Sequence, residues 1–131
     1  MARGQMTMQI GAFVREMGTT ADTVRYYMEL SLLGPELKGN RYSFGEKEIR
    51  DFQAIVQLKQ WGYAVKEIQC LFRHKAQSGC GTAGVLRFAR DMLQERVHAI
   101  DSSIAELGRQ RDGVLENLAE VEAVLGRVDV P

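Results

Sequence analysis

Apolar residues near the start of the chain recur at intervals of three and four, which is typical of an amphipathic helix. The apolar positions of this first segment are Ile10, Phe13, Val14 and Met17. Gly18 and Thr19 interrupt the pattern, and Thr20 is suited to cap a second helix with Val24 and Tyr27 on one side. Two short helices joined by a tight turn are the layout of a helix-turn-helix, whose second helix can enter the major groove of DNA.

The next segment, residues 32–44, combines Gly, Pro and Asn with short apolar and aromatic stretches, and this pattern predicts a small β-hairpin or wing. A helical period resumes over residues 45–64 and ends near Gly62, which suits a helix C-terminus. A further short helix is predicted over residues 66–72, and residues 77–81 are predicted to form a loop. The first part of the chain is therefore predicted to be mostly α, with one small hairpin.

From Thr82 onward no proline occurs before Pro131, and apolar positions alternate at spacings of four and three, as in a coiled-coil seam. The seam positions are Leu93, Val97, Ile100, Ile104, Leu107, Arg111, Val114, Leu118, Val121 and Leu125. A helix of roughly 40 residues, about 60 Å long, would carry this stripe and would need a partner to bury it. The alternative is a helix that folds back on its own domain. Gly108 and Gly113 predict a bend or an early end.

The length of 131 residues and the hydrophobic content of 45% fit one ordinary domain with an appended element. No stretch resembles a signal peptide or a membrane span, so we expect a soluble cytoplasmic protein without a membrane partner. Residues 1–80 contain eleven Lys and Arg against eight Asp and Glu, whereas residues 81–131 contain six against nine. The first part is therefore the candidate for contacts with phosphate.

Several motifs occur in an order that resembles the MerR family of regulators. They are Gln9-Ile10-Gly11, Thr23-Val24-Arg25-Tyr26-Tyr27, Leu32-Leu33 followed by Pro35, and Trp61-Gly62-Tyr63-Ala64-Val65-Lys66-Glu67-Ile68. The resemblance covers about residues 8–72. Met28 and Ser31 stand where the family usually has Glu and Gly. The spacing in the wing leaves open whether Arg41 or Tyr42 makes its DNA contact.

The resemblance implies a winged helix-turn-helix domain over residues 1–75, a linker loop over 76–81, a dimerisation helix over 82–127 and a tail over 128–131. In the dimer the long helices would form an antiparallel coiled coil, with Leu93, Val97, Ile100, Ile104, Leu107, Val114 and Leu118 at the contact. The implied function is a transcriptional regulator: a homodimer that binds an inverted repeat in promoter DNA and distorts the spacer. It would act on RNA polymerase indirectly, through that DNA.

Arg25 is the leading candidate for a contact with a guanine edge or a phosphate, because it lies on the predicted recognition helix. Tyr26 offers a hydroxyl to phosphate, whereas Tyr27 shares a face with Val24 and is interpreted as a core residue. The predicted DNA contacts are Thr20, Thr23, Arg25, Tyr26, Lys38, Arg41, Tyr42, Tyr63 and Lys66.

Cys80, in the loop before the long helix, stands where metal-sensing members of the family place one thiolate ligand. Those members complete the site with two later cysteines, and no Cys follows Cys80, so no cofactor is assigned. A metal ion, a thiol-reactive compound and another small-molecule effector all stay open, as does an ordinary loop cysteine. Cys70 is interpreted as a buried core residue, and His74 and His98 as solvated side chains, although a role for either His as a partner of Cys80 stays open.

Two other classes of function compete with a DNA-binding regulator. One is a protein-interaction adaptor that works through its coiled coil and lacks sequence-specific DNA binding. The other is an enzyme, which the sequence disfavours because no catalytic motif or phosphate-binding glycine loop is recognisable.

Overall fold

The computed structural model describes residues 7–79 and 81–129. The chain divides into two compact units, residues 1–85 and residues 86–131. Helices and strands follow one another along the chain as α1 (Ile10–Met17), α2 (Ala21–Glu29), β1 (Glu36–Lys38), β2 (Arg41–Ser43), α3 (Glu46–Gln60), α4 (Val65–Ser78) and α5 (Ala83–Val128). The mostly helical fold with a small hairpin and a long last helix, as predicted from the sequence, is confirmed.

Local capping chemistry fixes the boundaries of the first helices. Gly18 ends α1 with φ +66°, a left-handed conformation that glycine adopts without the steric cost of a Cβ atom. Thr20 begins α2, and its side-chain oxygen accepts a hydrogen bond from the Thr23 N–H over 3.2 Å. The turn between α1 and α2 is therefore defined by the residues that occupy it.

The later helices of the first unit begin with a carboxylate in the first turn. Glu48 accepts a hydrogen bond from the Gly45 N–H, and Glu67 accepts one from the Ala64 N–H, each over 2.7 Å. The carboxylates thereby satisfy N–H groups that have no partner within the helix. Gly62, with φ +93°, lies in the short turn that joins α3 to α4.

Aromatic residues from four elements or their ends form the core of the first unit. Phe13 of α1 stacks on Phe44, which follows β2, with ring centroids 4.5 Å apart. Phe13 and Tyr27 each lie 5.9 Å from the ring of Phe52 on α3. Ile68 completes the core from α4 and is fully buried. The helix-turn-helix and the hairpin are thus fixed to one aromatic cluster.

Helix α4 extends to Ser78, whereas the apolar pattern predicted an end at Phe72. The residues between them include Arg73, Lys75 and Ala76, which favour helices, and no Gly or Pro occurs before Gly79. The helical backbone therefore continues after the apolar face has ended.

The second unit, residues 86–131, is helical from its first residue to Val128. The helix passes through Gly108 and Gly113 without interruption, so the early end predicted there is wrong. Each glycine costs about 1 kcal/mol relative to alanine, and the strong helix formers around them offset that cost. Every described residue from Val97 to Asp129 is exposed. No helix among the described residues is long and apolar enough to cross a membrane.

Candidate nucleic-acid interface

Helix α2 is fixed to the core by one face and presents the other to solvent. Val24 is fully buried and Tyr27 is 4% exposed, whereas Tyr26 is 48% exposed and Arg25 is also exposed. Successive residues on a helix are rotated by about 100°, so neighbouring positions point in different directions. The packing of Val24 and Tyr27 therefore holds Arg25 and Tyr26 at the surface.

The interpretation of Tyr27 as a core residue is confirmed. Its ring packs against Phe52, and its hydroxyl accepts a hydrogen bond from Nζ of Lys59 over 3.3 Å. The same ammonium group lies 5.7 Å from the centre of the Tyr27 ring. Tyr27 therefore joins α2 to α3.

Thr20 and Thr23 form a small hydrogen-bonded pair at the N-terminus of α2. The Thr20 hydroxyl accepts from the Thr23 N–H and donates to the Thr23 hydroxyl, over 3.2 Å and 3.0 Å. Both side chains therefore take part in capping the helix. The same end of the helix carries the positive end of its dipole, which favours an approaching phosphate.

Arg25 is the exposed cation of α2. Its guanidinium lies 3.7 Å from the Asp22 carboxylate, and the two side chains are 60% and 100% exposed. An ion pair this exposed contributes little to stability, so the guanidinium can turn toward a stronger partner. Asp22 adds negative charge where phosphates would approach.

The wing is a two-stranded antiparallel hairpin. Lys38 lies opposite Arg41 at the turn end, and Leu37 lies opposite Tyr42. Gly39 begins the turn with φ +64°, the conformation that a type II′ turn requires at its first central position. Lys38, Arg41 and Tyr42 are all exposed. The hairpin therefore presents two cations and an aromatic ring at one end.

A backbone bridge and a side-chain hydrogen bond anchor this wing. The N–H and carbonyl groups of Met8 and Phe44 pair over 2.8 Å and 2.7 Å. Beside this bridge, Nη1 of Arg41 donates to the side-chain oxygen of Gln9 over 3.1 Å. Gln9 was not identified from the sequence. No local pattern signals this contact, because 32 positions separate the two residues.

The recognition helix and the wing enclose one groove of about 720 Å³. Arg25 of α2 lines this groove together with three residues of the hairpin, Asn40, Arg41 and Tyr42. The structure thus brings together residues predicted from two separate motifs. Glu29 also lines the groove and places one carboxylate beside these cations. Two arginines that line one groove suit a polyanion, since each guanidinium group can donate several hydrogen bonds to phosphate oxygens.

The two predicted DNA contacts between the end of α3 and the start of α4, Tyr63 and Lys66, lie in different environments. Tyr63 is only 6% exposed and belongs to the core of the first unit. This burial disfavours the predicted phosphate contact of Tyr63, because most of its surface already packs against protein. Lys66 is exposed on the first turn of α4, where a phosphate contact is geometrically open.

The predicted dimerisation residues form an exposed apolar stripe on the second unit. Ile100 is 39% exposed and Val114 is 67% exposed, and the other five lie between these values. Single exposed apolar residues are ordinary, but a stripe repeated over several heptads marks an interaction surface.

The two cysteines of the chain are Cys70 and Cys80. Cys80 lies outside the described residues. Cys70 is exposed, so its interpretation as a core residue is wrong. It lies two positions after the buried Ile68 and therefore on a different face of α4. Within residues 7–79 and 81–129, no group of three or more His, Cys, Asp and Glu side chains is arranged to hold a metal ion.

Comparison with known proteins places this interface in a family. Residues 8–75 match the sequence model described as "MerR HTH family regulatory protein". The chain is 28% identical over 125 residues to the HTH-type transcriptional regulator HmrR of Rhizobium leguminosarum bv. viciae, covering 95% of this chain and 93% of that protein. It is 24% identical over 111 residues to a ZntR homolog of Haemophilus influenzae, covering 83% and 79%.

Two solved structures share the fold. One is HiNmlR, described as a MerR family regulator lacking the sensor domain and bound to promoter DNA. It has a TM-score of 0.62 at 21% identity, covering 92% of this chain and 94% of that chain. The other is a MerR family transcriptional regulator from Listeria monocytogenes, with a TM-score of 0.61 at 21% identity, covering 93% and 96%.

Proposed function

The chain belongs to the MerR HTH family of regulatory proteins, and we propose that it binds an inverted repeat in promoter DNA as a homodimer. The recognition helix α2 would enter the major groove, while the hairpin of β1 and β2 would contact the flanking backbone. The main observation behind this proposal is the groove that both Arg25 of α2 and Arg41 of the wing line.

Charge and exposure support this assignment. The first 80 residues carry the excess of Lys and Arg over Asp and Glu, although the whole chain has a formal charge of zero. Arg25, Tyr26, Lys38 and Arg41 are exposed on elements that the core holds in place. Cations on a preorganised surface bind phosphate without the cost of ordering the backbone first.

Selection from random-sequence DNA tests the proposal and identifies the operator sequence in the same experiment. The full chain would be incubated with duplexes that contain about 30 random base pairs, and the retained molecules would be sequenced over several rounds. We expect an inverted repeat whose half-site centres lie one or more helical turns apart. Enrichment of no sequence, together with binding that does not weaken as salt rises, would favour the protein-interaction adaptor.

We further propose that the bound dimer regulates transcription by distorting the spacer between promoter elements. Bending a site of 20–30 base pairs costs about 1–6 kcal/mol, which the contacts of both subunits would offset. Energy transfer between dyes at the two ends of the selected duplex measures this change. An unchanged end-to-end distance on binding would contradict bending as the regulatory step.

A metal or thiol-reactive effector acting through Cys80 is the last part of the proposal. Titration of the reduced protein with a thiophilic metal ion reports a thiolate-to-metal absorption band. Loss of the band in Cys80→Ser, and its retention in the matched Cys70→Ser variant, would support Cys80 as a ligand. Absence of any band would reject the metal form of the proposal.

A further inference from the structure

The apolar stripe of α5 contains two arginines at regular positions. The strict alternation of four and three extends the seam back to Leu86 and places Arg90 and Arg111 on it. These two arginines lie three heptads apart, and both occupy the position written a in heptad notation. A cation at a in a coiled coil costs stability unless an opposite charge on the partner helix meets it.

Two acidic residues flank the seam with the same periodicity. Asp101 and Glu122 are also three heptads apart, and both occupy position e, immediately after the apolar residues Ile100 and Val121. No residue three or four positions from Glu122 carries a positive charge, and the same spacing gives Arg111 no acidic neighbour. Neither Glu122 nor Arg111 forms an ion pair within the described part of one chain. Arg90 pairs with Asp91 over 3.0 Å, and this pair is exposed.

The order of the heptad positions around a helix determines which side chains of two paired helices meet. Position e lies about 40° from position a around the helix axis, because four residues turn the chain by about 400°. In an antiparallel pair, the e positions of both helices lie along the same edge of the interface. An arginine at a therefore faces the e residue of the partner helix.

We propose that a second copy of this chain covers the stripe in one antiparallel register, with Arg111 against Asp101 of the partner subunit and Arg90 against the partner's Glu122. The proposal rests on the homodimer proposed above and adds its register and its specificity. One register satisfies both pairs, since the arginines and the acids have the same three-heptad spacing. Two-fold symmetry repeats each pair, which gives four interchain ion pairs.

The same register produces apolar layers between the charged ones. Ile104 packs against Leu107 of the partner subunit, next to the two-fold axis, and Val97 packs against the partner's Val114. Further from the axis, Leu93 packs against Leu118 of the partner subunit. The charged pairs therefore flank a central apolar segment on both sides.

Other arrangements leave the charges unmatched. A shift of one heptad in either direction places Gly108 or Gln94 of the partner subunit against Arg111. A parallel pair would set each seam arginine against the same arginine of its partner, and like charges in one layer repel. Charge complementarity thus selects both the direction and the register of the pairing.

Charge reversal at one pair tests the register with full-length protein. In the Arg111→Glu homodimer two carboxylates would meet at each of two sites, and in the Asp101→Arg homodimer two guanidinium groups would meet. We expect the dimer dissociation constant of each variant, measured by sedimentation equilibrium, to rise by about tenfold or more. The combined Arg111→Glu and Asp101→Arg variant restores opposite charges and should return to within about twofold of the wild-type value.

A mixture of the two single variants gives the sharpest result. Each heterodimer would contain opposite charges at both sites, so native mass spectrometry should show heterodimers well above the statistical half. Arg109→Glu, the same charge change beside Glu106 on the polar face, is the matched control and should keep wild-type dimerisation.

The outcomes separate the register from the homodimer itself. A heterodimer fraction of one half, with two stable single-variant homodimers, would overturn the register and leave the homodimer standing. A wild-type chain that sediments as a monomer at micromolar concentration would overturn the homodimer and the register together.

Discussion

Arg41 on the wing donates a hydrogen bond to the side chain of Gln9, the residue before α1, with 3.1 Å between Nη1 and Oε1. The neighbouring backbone bridge between Met8 and Phe44 fixes the same two segments to each other. The wing is thus held to the segment that leads into α1 at two places, through Phe44 after β2 and through Arg41 beside the turn.

Removing the Gln9 amide should weaken DNA binding without much effect on folding. We expect Gln9→Ala to reduce affinity for the selected duplex by about 0.5–1 kcal/mol, because Arg41 loses the partner that orients it. Fluorescence anisotropy measures the affinity. Gln53→Ala, an exposed glutamine on α3, is the control, and an equal loss in both variants would refute an orienting role for Gln9.

Neutralising Asp22 should strengthen DNA binding. Asp22→Asn removes a fully exposed carboxylate that lies 3.7 Å from the Arg25 guanidinium and repels phosphate. We expect affinity to rise at low salt, and the gain to shrink as salt rises. Asp112→Asn on α5 removes one charge elsewhere and should leave affinity unchanged. A gain shared by both variants would show only a net-charge effect.

Tyr26 and Tyr27 should respond differently to loss of their hydroxyl groups. Tyr26→Phe removes an exposed donor and should lower DNA affinity by about 1 kcal/mol, with stability unchanged. Tyr27→Phe removes the acceptor of the Lys59 hydrogen bond and should lower the free energy of unfolding by about 0.5–1 kcal/mol, with affinity unchanged. Titration with duplex DNA measures the affinity, and urea denaturation measures the free energy of unfolding. A loss of stability in Tyr26→Phe and a loss of affinity in Tyr27→Phe would contradict the assigned roles.

Ser31 should be replaceable by glycine with a gain in stability. Its φ of +63° is the only positive value among the described non-glycine residues, and it stands where the family pattern has Gly. A left-handed conformation costs an L-residue about 1–2 kcal/mol, and glycine avoids this cost. Glycine also loses more backbone entropy on folding, which cancels only part of the gain.

We therefore expect Ser31→Gly to raise the free energy of unfolding by about 0.5–1 kcal/mol in urea denaturation. Ser31→Ala keeps the Cβ atom and should bring no such gain. Equal stability of the two variants would contradict strain at this position.

Local chemistry explains why the helix-turn-helix and the hairpin were predictable from the sequence. Gly18 and Gly39 adopt the positive φ angles that favour glycine, and Thr20 caps α2 with its own side chain. Each of these signals lies within a few residues of the boundary that it sets. The groove between α2 and the wing combines two such predictable elements.

Features that depend on distant contacts were not predictable. The Gln9–Arg41 hydrogen bond joins residues far apart in sequence, and the burial of Tyr63 depends on tertiary packing that no local pattern signals. The continuation of α5 through Gly108 reflects the sum of many helix-forming neighbours, which outweighs a single unfavourable residue. The DNA contacts of the exposed residues stay predictions.

The affinities of wild-type protein and of Arg25→Ala for the selected inverted repeat show whether α2 recognises DNA. We expect the variant to lose about 1–3 kcal/mol of binding free energy, with an unchanged circular dichroism spectrum and an unchanged dimer. Equal affinity of the two proteins at physiological salt would contradict the assignment of α2 as the helix that recognises DNA.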